Sequence, residues 1–124
     1  MQLDEDLLPV LAACAAGKLR HTRLKTKPGV SVGVVLAAHG YPESPRAGDA
    51  IDGLGTAAAA GVERFLAGVK KEGGALVTAG GRVMTVCAQG PDLAAARALA
   101  YAEAERVKFA GVQYRRDIGA AAPR

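Results

Sequence analysis

The 124-residue chain has no tryptophan, 4% aromatic residues, two cysteines and two histidines. With so few rings its core must be built from Ala, Val, Leu and Ile. The 50% hydrophobic content supplies these and excludes a disordered chain. Cys14 and Cys87 lie far apart and share no metal-ligand spacing. Two such thiols make no disulfide framework and read as small, buried apolar side chains. No apolar run reaches the roughly 20 residues that span a bilayer. The acidic opening Met1-Gln2-Leu3-Asp4-Glu5-Asp6 is unlike a secretory signal peptide. The expectation is a soluble, cytoplasmic chain with no membrane partner. Its net charge of +4 does not indicate a nucleic-acid partner. Lys18, Arg20, Arg23, Lys25 and Lys27 form a loose run with no aromatic to stack on a base. A single domain over residues 1–124 fits this length.

What is present divides into short elements. Asp6 can cap a first helix in which Leu7, Leu8, Leu11, Ala12 and Ala15 recur at helical spacing before Gly17. Pro9 fits only if that helix starts nearby, and so short a helix needs a surface to lean on. Residues 18–28 read as a linker or an exposed edge strand. Val30 to Ala38 is apolar on both parities, the pattern of a strand covered on both faces. A turn-rich loop follows from His39 to Pro45. Gly48 to Gly53 suggests a short strand, and Gly55 to Gly61 fits either a helical turn or a loop. Val62 to Val69 reads as a strand, and Lys70-Lys71-Glu72 as a solvated turn.

Two apolar runs, Ala75 to Ala79 and Arg82 to Ala88, flank Gly80-Gly81. That pair predicts a tight β-hairpin, because glycine supplies the positive φ such a turn needs. Asp92 then caps a second helix with a narrow face of Leu93, Ala96, Ala100, Ala104 and Val107. Glu103 and Glu105 balance Arg97, Arg106 and Lys108 over its remaining surface; Gly111 ends it, and a terminal strand follows. The element order predicts an α+β domain: a small antiparallel sheet or partial barrel of hybrid-motif type with two packed helices.

Few residues carry chemistry. Arg115 and Arg116 stand between Tyr114 and Asp117, and a planar guanidinium fork grips phosphate or carboxylate bidentately. In a strand the two point to opposite faces, so one could be a solvated arginine and the other a partner for Asp117. His39 sits in a loop suited to a general base, but no Ser or Cys nucleophile motif accompanies it. Gly80-Gly81-Arg82 lacks the spacing of a phosphate-cradling loop, and Asp49 and Asp52 read as turn residues rather than a metal pair.

Four motifs occur in one order: Gly40-Tyr41-Pro42; Gly48-Asp49 with Ile51, Gly53 and Leu54; Val77-Thr78-Ala79-Gly80-Gly81-Arg82-Val83; and Tyr114-Arg115-Arg116-Asp117-Ile118-Gly119. Together they resemble the C-terminal domain of phosphoribosylamine–glycine ligase (glycinamide ribonucleotide synthetase), an ATP-grasp enzyme of purine biosynthesis. The likeness runs from about Leu7 to Gly119. It implies a part of a ligase that joins glycine to 5-phosphoribosylamine through a glycyl phosphate. ATP and magnesium would be cofactors of the complete enzyme, held by an ATP-grasp region preceding this domain. That region and the N-terminal domain are absent here and would be partners, in cis or as a separate chain. The chain alone would be inactive, with no catalytic residue and no metal ligand.

By analogy with related ATP-grasp enzymes, Arg115 and Arg116 would hold the substrate 5-phosphate, with Asp117 orienting one guanidinium and Tyr114 beside them. Gly40, Tyr41 and Pro42 would line the same cleft. Arg82 would reach it or pin the hairpin. His39, Arg46-Ala47 and Leu66 depart from residues common in the family. Two other readings stand beside the ligase part. One is a structural module whose arginines make interdomain salt bridges; the other is a free-standing sugar-phosphate-binding protein.

Overall fold

Small side chains let a helix lie close against a sheet, and that packing sets the architecture here. The computed structural model describes residues 1–20 and 23–120. Its elements are α1 (Leu8–Ala15), β1 (Val30–Ala37), β2 (Val62–Leu66), β3 (Val69–Glu72), β4 (Ala75–Thr78), β5 (Arg82–Gly90) and α2 (Leu93–Arg106). Strands β1, β5 and β2 form an antiparallel sheet in that order, and β3 and β4 form a separate antiparallel pair. The fold is α+β. Both sheets are open, so the partial barrel does not close.

The predicted alanine face of α2 is buried. Ala96, Ala100, Ala104 and Val107 join Val32, Val34, Leu36, Met84, Val86 and Ala88 in one core. Asp92 caps the helix as expected, its Oδ1 accepting from the Ala95 N–H at 2.8 Å. Such a cap contributes about 1 kcal/mol. The helix ends at Arg106 rather than Gly111, because Val107 turns extended and Lys108 bridges Asp52. Among the described residues no terminal strand follows; Gln113 makes an isolated bridge to Ala37.

Several expectations need correction. The tight hairpin lies one glycine pair earlier than predicted. Glu72 pairs with Ala75 across Gly73-Gly74, whose φ angles are 56° and 88°. Lys70-Lys71-Glu72 is therefore strand β3, not a turn. Gly80-Gly81 instead carries the chain from one sheet to the other, and neither residue has a positive φ. Gly68 breaks the predicted strand Val62 to Val69 where it crosses Gly80; a Cβ there would stand 2.8 Å from the Gly80 Cα. Gly48 to Gly53 forms no strand, only single bridges from Ala50 to Val77 and from Asp52 to Lys108. Gly55 to Gly61 is a loop ending in a turn.

Strand β1 is fully covered on one face and only partly on the other, where Ala37 is buried but Gly33 and Val35 are exposed. Val32, Val34 and Leu36 turn toward α2, whereas Val35 is 41% exposed on the opposite side. Phe65 lies on that outer face too, 51% exposed and paired like Val35 with Thr85. Cys87 is half-buried on the same face and burial pushes its thiol pKa up; Cys14 is exposed rather than buried.

Of the two helices among the described residues, α2 is the packed one. Helix α1 forms where predicted, with Asp6 Oδ1 accepting from the Leu8 N–H at 2.9 Å and Gly17 at φ 65° after its end. None of its residues is buried. The arm that carries it is held by backbone bonds from Asp4 to Lys25 and from Lys27 to Gln2.

Glu103 is not a surface charge. It is 2% exposed, accepts from Arg64 Nε at 2.6 Å and from Arg106 Nη1 at 3.2 Å, and so ties α2 to the edge strand β2. Arg64 also donates to the Thr56 carbonyl at 2.9 Å, holding the preceding loop. Removing one member of such a pair strands a buried charge. Glu103→Ala should lower the unfolding free energy by about 3–5 kcal/mol, read from urea denaturation.

Candidate functional site

The terminal segment 113–119 has no regular structure of its own and is fixed by neighbours. Tyr101, on α2, donates its hydroxyl to the Arg115 carbonyl at 2.8 Å and accepts from the Ile118 N–H at 3.1 Å. Arg97, one turn earlier, donates to the carbonyls of Ile118 at 3.0 Å and Arg116 at 2.9 Å. Its guanidinium lies 4.7 Å from the Tyr101 ring centroid. Gln113 joins this segment to the Gly-Tyr-Pro loop, its amide donating to the carbonyls of Ala38 at 3.1 Å and Tyr41 at 2.9 Å. Sequence reading missed these three residues. The spacing of Arg97 and Tyr101, four apart on one helix face, was the available signal.

The stitched segments enclose an open cleft made of two adjoining cavities of about 630 and 480 Å³. Val35, Tyr41 and Arg82 border both. The first adds Pro42 and Gly81, and the second adds Ala37, Gln113, Tyr114 and Arg115. The Tyr41 ring can lie here because Gly81 has no side chain; a Cβ at that position would collide with Tyr41 Cδ2.

The structure thus brings Tyr41, Pro42, Arg82, Tyr114 and Arg115 together at one cleft. Gly40, Arg116 and Asp117 border neither cavity. Gly40 shapes the turn instead, at φ 80°, where an added Cβ would collide with the Ser44 carbonyl. Arg116 lies 5.2 Å from the Tyr114 ring centroid and pairs with Glu105 at 3.5 Å. Asp117 takes Arg115 bidentately, Oδ1 accepting from Nε at 2.8 Å and Oδ2 from Nη2. Arg82 pins no hairpin, and its side chain makes no hydrogen bond or ion pair among the described residues. His39 borders neither cavity and packs against Gly111. Asp49 is the turn residue expected, paired with Arg46 at 2.9 Å.

Among the described residues no three His, Cys, Asp or Glu side chains converge as a metal site would require. No helix of the described residues is long and apolar enough to cross a membrane.

The family model for phosphoribosylglycinamide synthetase, C domain, matches residues 31–121. The chain belongs to this family. It is 43% identical over 119 residues to the phosphoribosylamine–glycine ligase of Mesorhizobium japonicum and 46% identical over 121 residues to that of Phenylobacterium zucineum. Both matches cover 96% of this chain but only 28% and 29% of those enzymes. A crystal structure of the Thermotoga maritima phosphoribosylamine–glycine ligase aligns with a TM-score of 0.76 at 37% identity, over 90% of this chain and 27% of that one. The chain therefore spans less than a third of the length of the ligases it matches. Its cleft lies within the matched C domain, since every residue from Val35 to Arg115 falls inside residues 31–121.

The Arg115–Asp117 pair gives a pH test. The hydrogen bond from Arg115, followed by a smaller coulombic contribution, lowers the Asp117 pKa, and the same bond raises that of Arg115. Because the folded value is depressed, the pair is complete above the ordinary carboxylate range and is lost as pH falls through the lowered value. Both groups are exposed, so the effect on stability should be slight and screened by salt. In a carbon-detected NMR titration Asp117 should protonate below its ordinary value, and Arg115→Ala should return it there.

Proposed function

We propose that this chain is the C-terminal, substrate-facing domain of a phosphoribosylamine–glycine ligase, inactive alone and completed by the ATP-grasp and N-terminal domains of that enzyme. The observation that carries this reading is the position of Arg115. The residue borders a cavity alongside Tyr41 and Tyr114, where a sugar phosphate can meet a cation and apolar walls. On this reading Arg115 holds the 5-phosphate of phosphoribosylamine, Asp117 fixes the angle of its fork, and Tyr114 seats Arg116 beside it. Gly40, Tyr41 and Pro42 shape the loop that faces them.

The partner domains are supported by what this chain leaves open. The composition of β1 is that of a strand buried on both sides, yet Val35 and Phe65 stand exposed on the outer face. Helix α1 has the same character, with Leu8 70% and Leu11 54% exposed. The family match begins at residue 31, whereas the matches to whole ligases cover 96% of the chain and so take in α1. A helix shared with the full-length enzymes but unpacked here suits a contact with their remaining domains.

ATP and Mg²⁺ belong to the proposed complete enzyme. The described residues do not fit them, for no carboxylate cluster is present to take the metal. The reading also carries a cytoplasmic location, where purine precursors are made.

In a complete ligase bearing this domain, Arg115→Ala should raise the KM for phosphoribosylamine about tenfold or more, since a charge-assisted contact contributes roughly 1.5–3 kcal/mol. Arg116→Ala should move it less than about threefold, because that guanidinium is engaged by Tyr114 and Glu105. An unchanged KM for Arg115→Ala removes the phosphate role.

A further inference from the structure

We infer that the anion site is a clamp of Arg82 and Arg115, contributed by two separate segments, rather than the adjacent pair Arg115 and Arg116. The clamp takes a phosphomonoester dianion. This inference rests on the ligase reading only in the identity of the sugar phosphate; the clamp itself follows from the geometry of the cleft.

Ala37 pairs with Arg82 on one side and bridges Gln113 on the other. Residues directly opposite across strands project to the same face, about 5 Å apart per strand step. Arg82 and Gln113 therefore flank Ala37 on one face of the sheet, with Arg115 two residues beyond Gln113. All four border the second cavity. The two arginines thus reach one cavity from separate segments, with Val35 and Ala37 between them in its lining.

The donors of the two arginines are complementary. Arg115 has committed Nε and one Nη2 proton to Asp117, which holds the group in place and leaves Nη1 uncommitted. One remaining edge, partly neutralised by a carboxylate, is a weak holder for a group carrying about −1.5 to −2 charges at pH 7. Arg82 supplies the missing charge. It is a cation at a cavity mouth with no partner among the described residues, and so keeps its full fork of donors. Arg116 cannot take that place without leaving Tyr114 and Glu105. Two guanidiniums at one cavity suit a dianion better than a carboxylate monoanion, which sets the ligand class.

The test uses the 124-residue chain and NMR titration with ribose 5-phosphate, inorganic phosphate and glycine in parallel. The expected result is saturable binding of both phosphates with shifts at Arg82 and Arg115, and no competition by glycine. Arg82→Ala should weaken ribose 5-phosphate binding at least about tenfold, as loss of a charge-assisted contact does. Arg82→Lys should recover part of this loss, and Arg116→Ala should stay within about threefold of the parent. Arg82 bears no structural contact, so the variant spectra should otherwise match the parent and a loss reads as a binding effect.

Binding by Arg82→Ala within twofold of the parent overturns the clamp, as does a parent chain that binds neither phosphate. Equal competition by glycine overturns the ligand class. Failure of the ligase reading shows differently. The clamp would bind phosphate through Arg82, while Arg115→Ala left the KM of a complete ligase unchanged.

Discussion

The contact on which everything else depends is the alanine face of α2 against one face of the β1-β5-β2 sheet. Three alanines and a valine bring the helix close enough for Val34, Leu36, Met84 and Val86 to be fully enclosed beneath it. Close packing of small residues supplies few rings and little volume, so the core is one layer thick. The same helix carries Tyr101 and Arg97, which hold segment 113–119 by its backbone. Position of the cleft is thus inherited from the helix–sheet contact. A shift of α2 would move Arg115 away from Arg82 even though neither residue touches the core.

Parts of this were legible in the sequence. The α2 face and its Asp92 cap could be read because both depend on local spacing and a single side-chain hydrogen bond. The motifs around Tyr41, Arg82 and Tyr114 pointed to one family, and the fold brings them to one cleft. The hairpin was misplaced because Gly73-Gly74 and Gly80-Gly81 satisfy the same local rule, and the choice between them is made by strand partners. Glu103 was assigned to the surface because its partner Arg64 lies 39 residues away and no local pattern joins them. The parity pattern of β1 describes a strand buried on both sides, and this chain covers the second only in part. The terminal segment reads as a strand, but its hold comes from side chains of α2, which spacing along the segment itself does not show.

The open features share a direction. Val35 and Phe65 on the outer sheet face adjoin the cleft through Val35, which borders both cavities. An apolar surface running into a cation-lined cleft is what a site at a domain boundary presents before its second wall is in place. The ligases matched here are more than three times as long as this chain, and the further polypeptide is available in them to form that wall. Arg115 and Asp117 are satisfied within the chain, so they need no interdomain salt bridge to be held in position.

The most direct test of this account is domain replacement in the Thermotoga maritima phosphoribosylamine–glycine ligase. Its region equivalent to this chain would be exchanged for residues 1–124, and formation of glycinamide ribonucleotide followed with ATP, glycine and phosphoribosylamine. The chimera is expected to form product, while the same enzyme truncated before this region does not. A folded, ATP-binding chimera no more active than the truncated enzyme would contradict it.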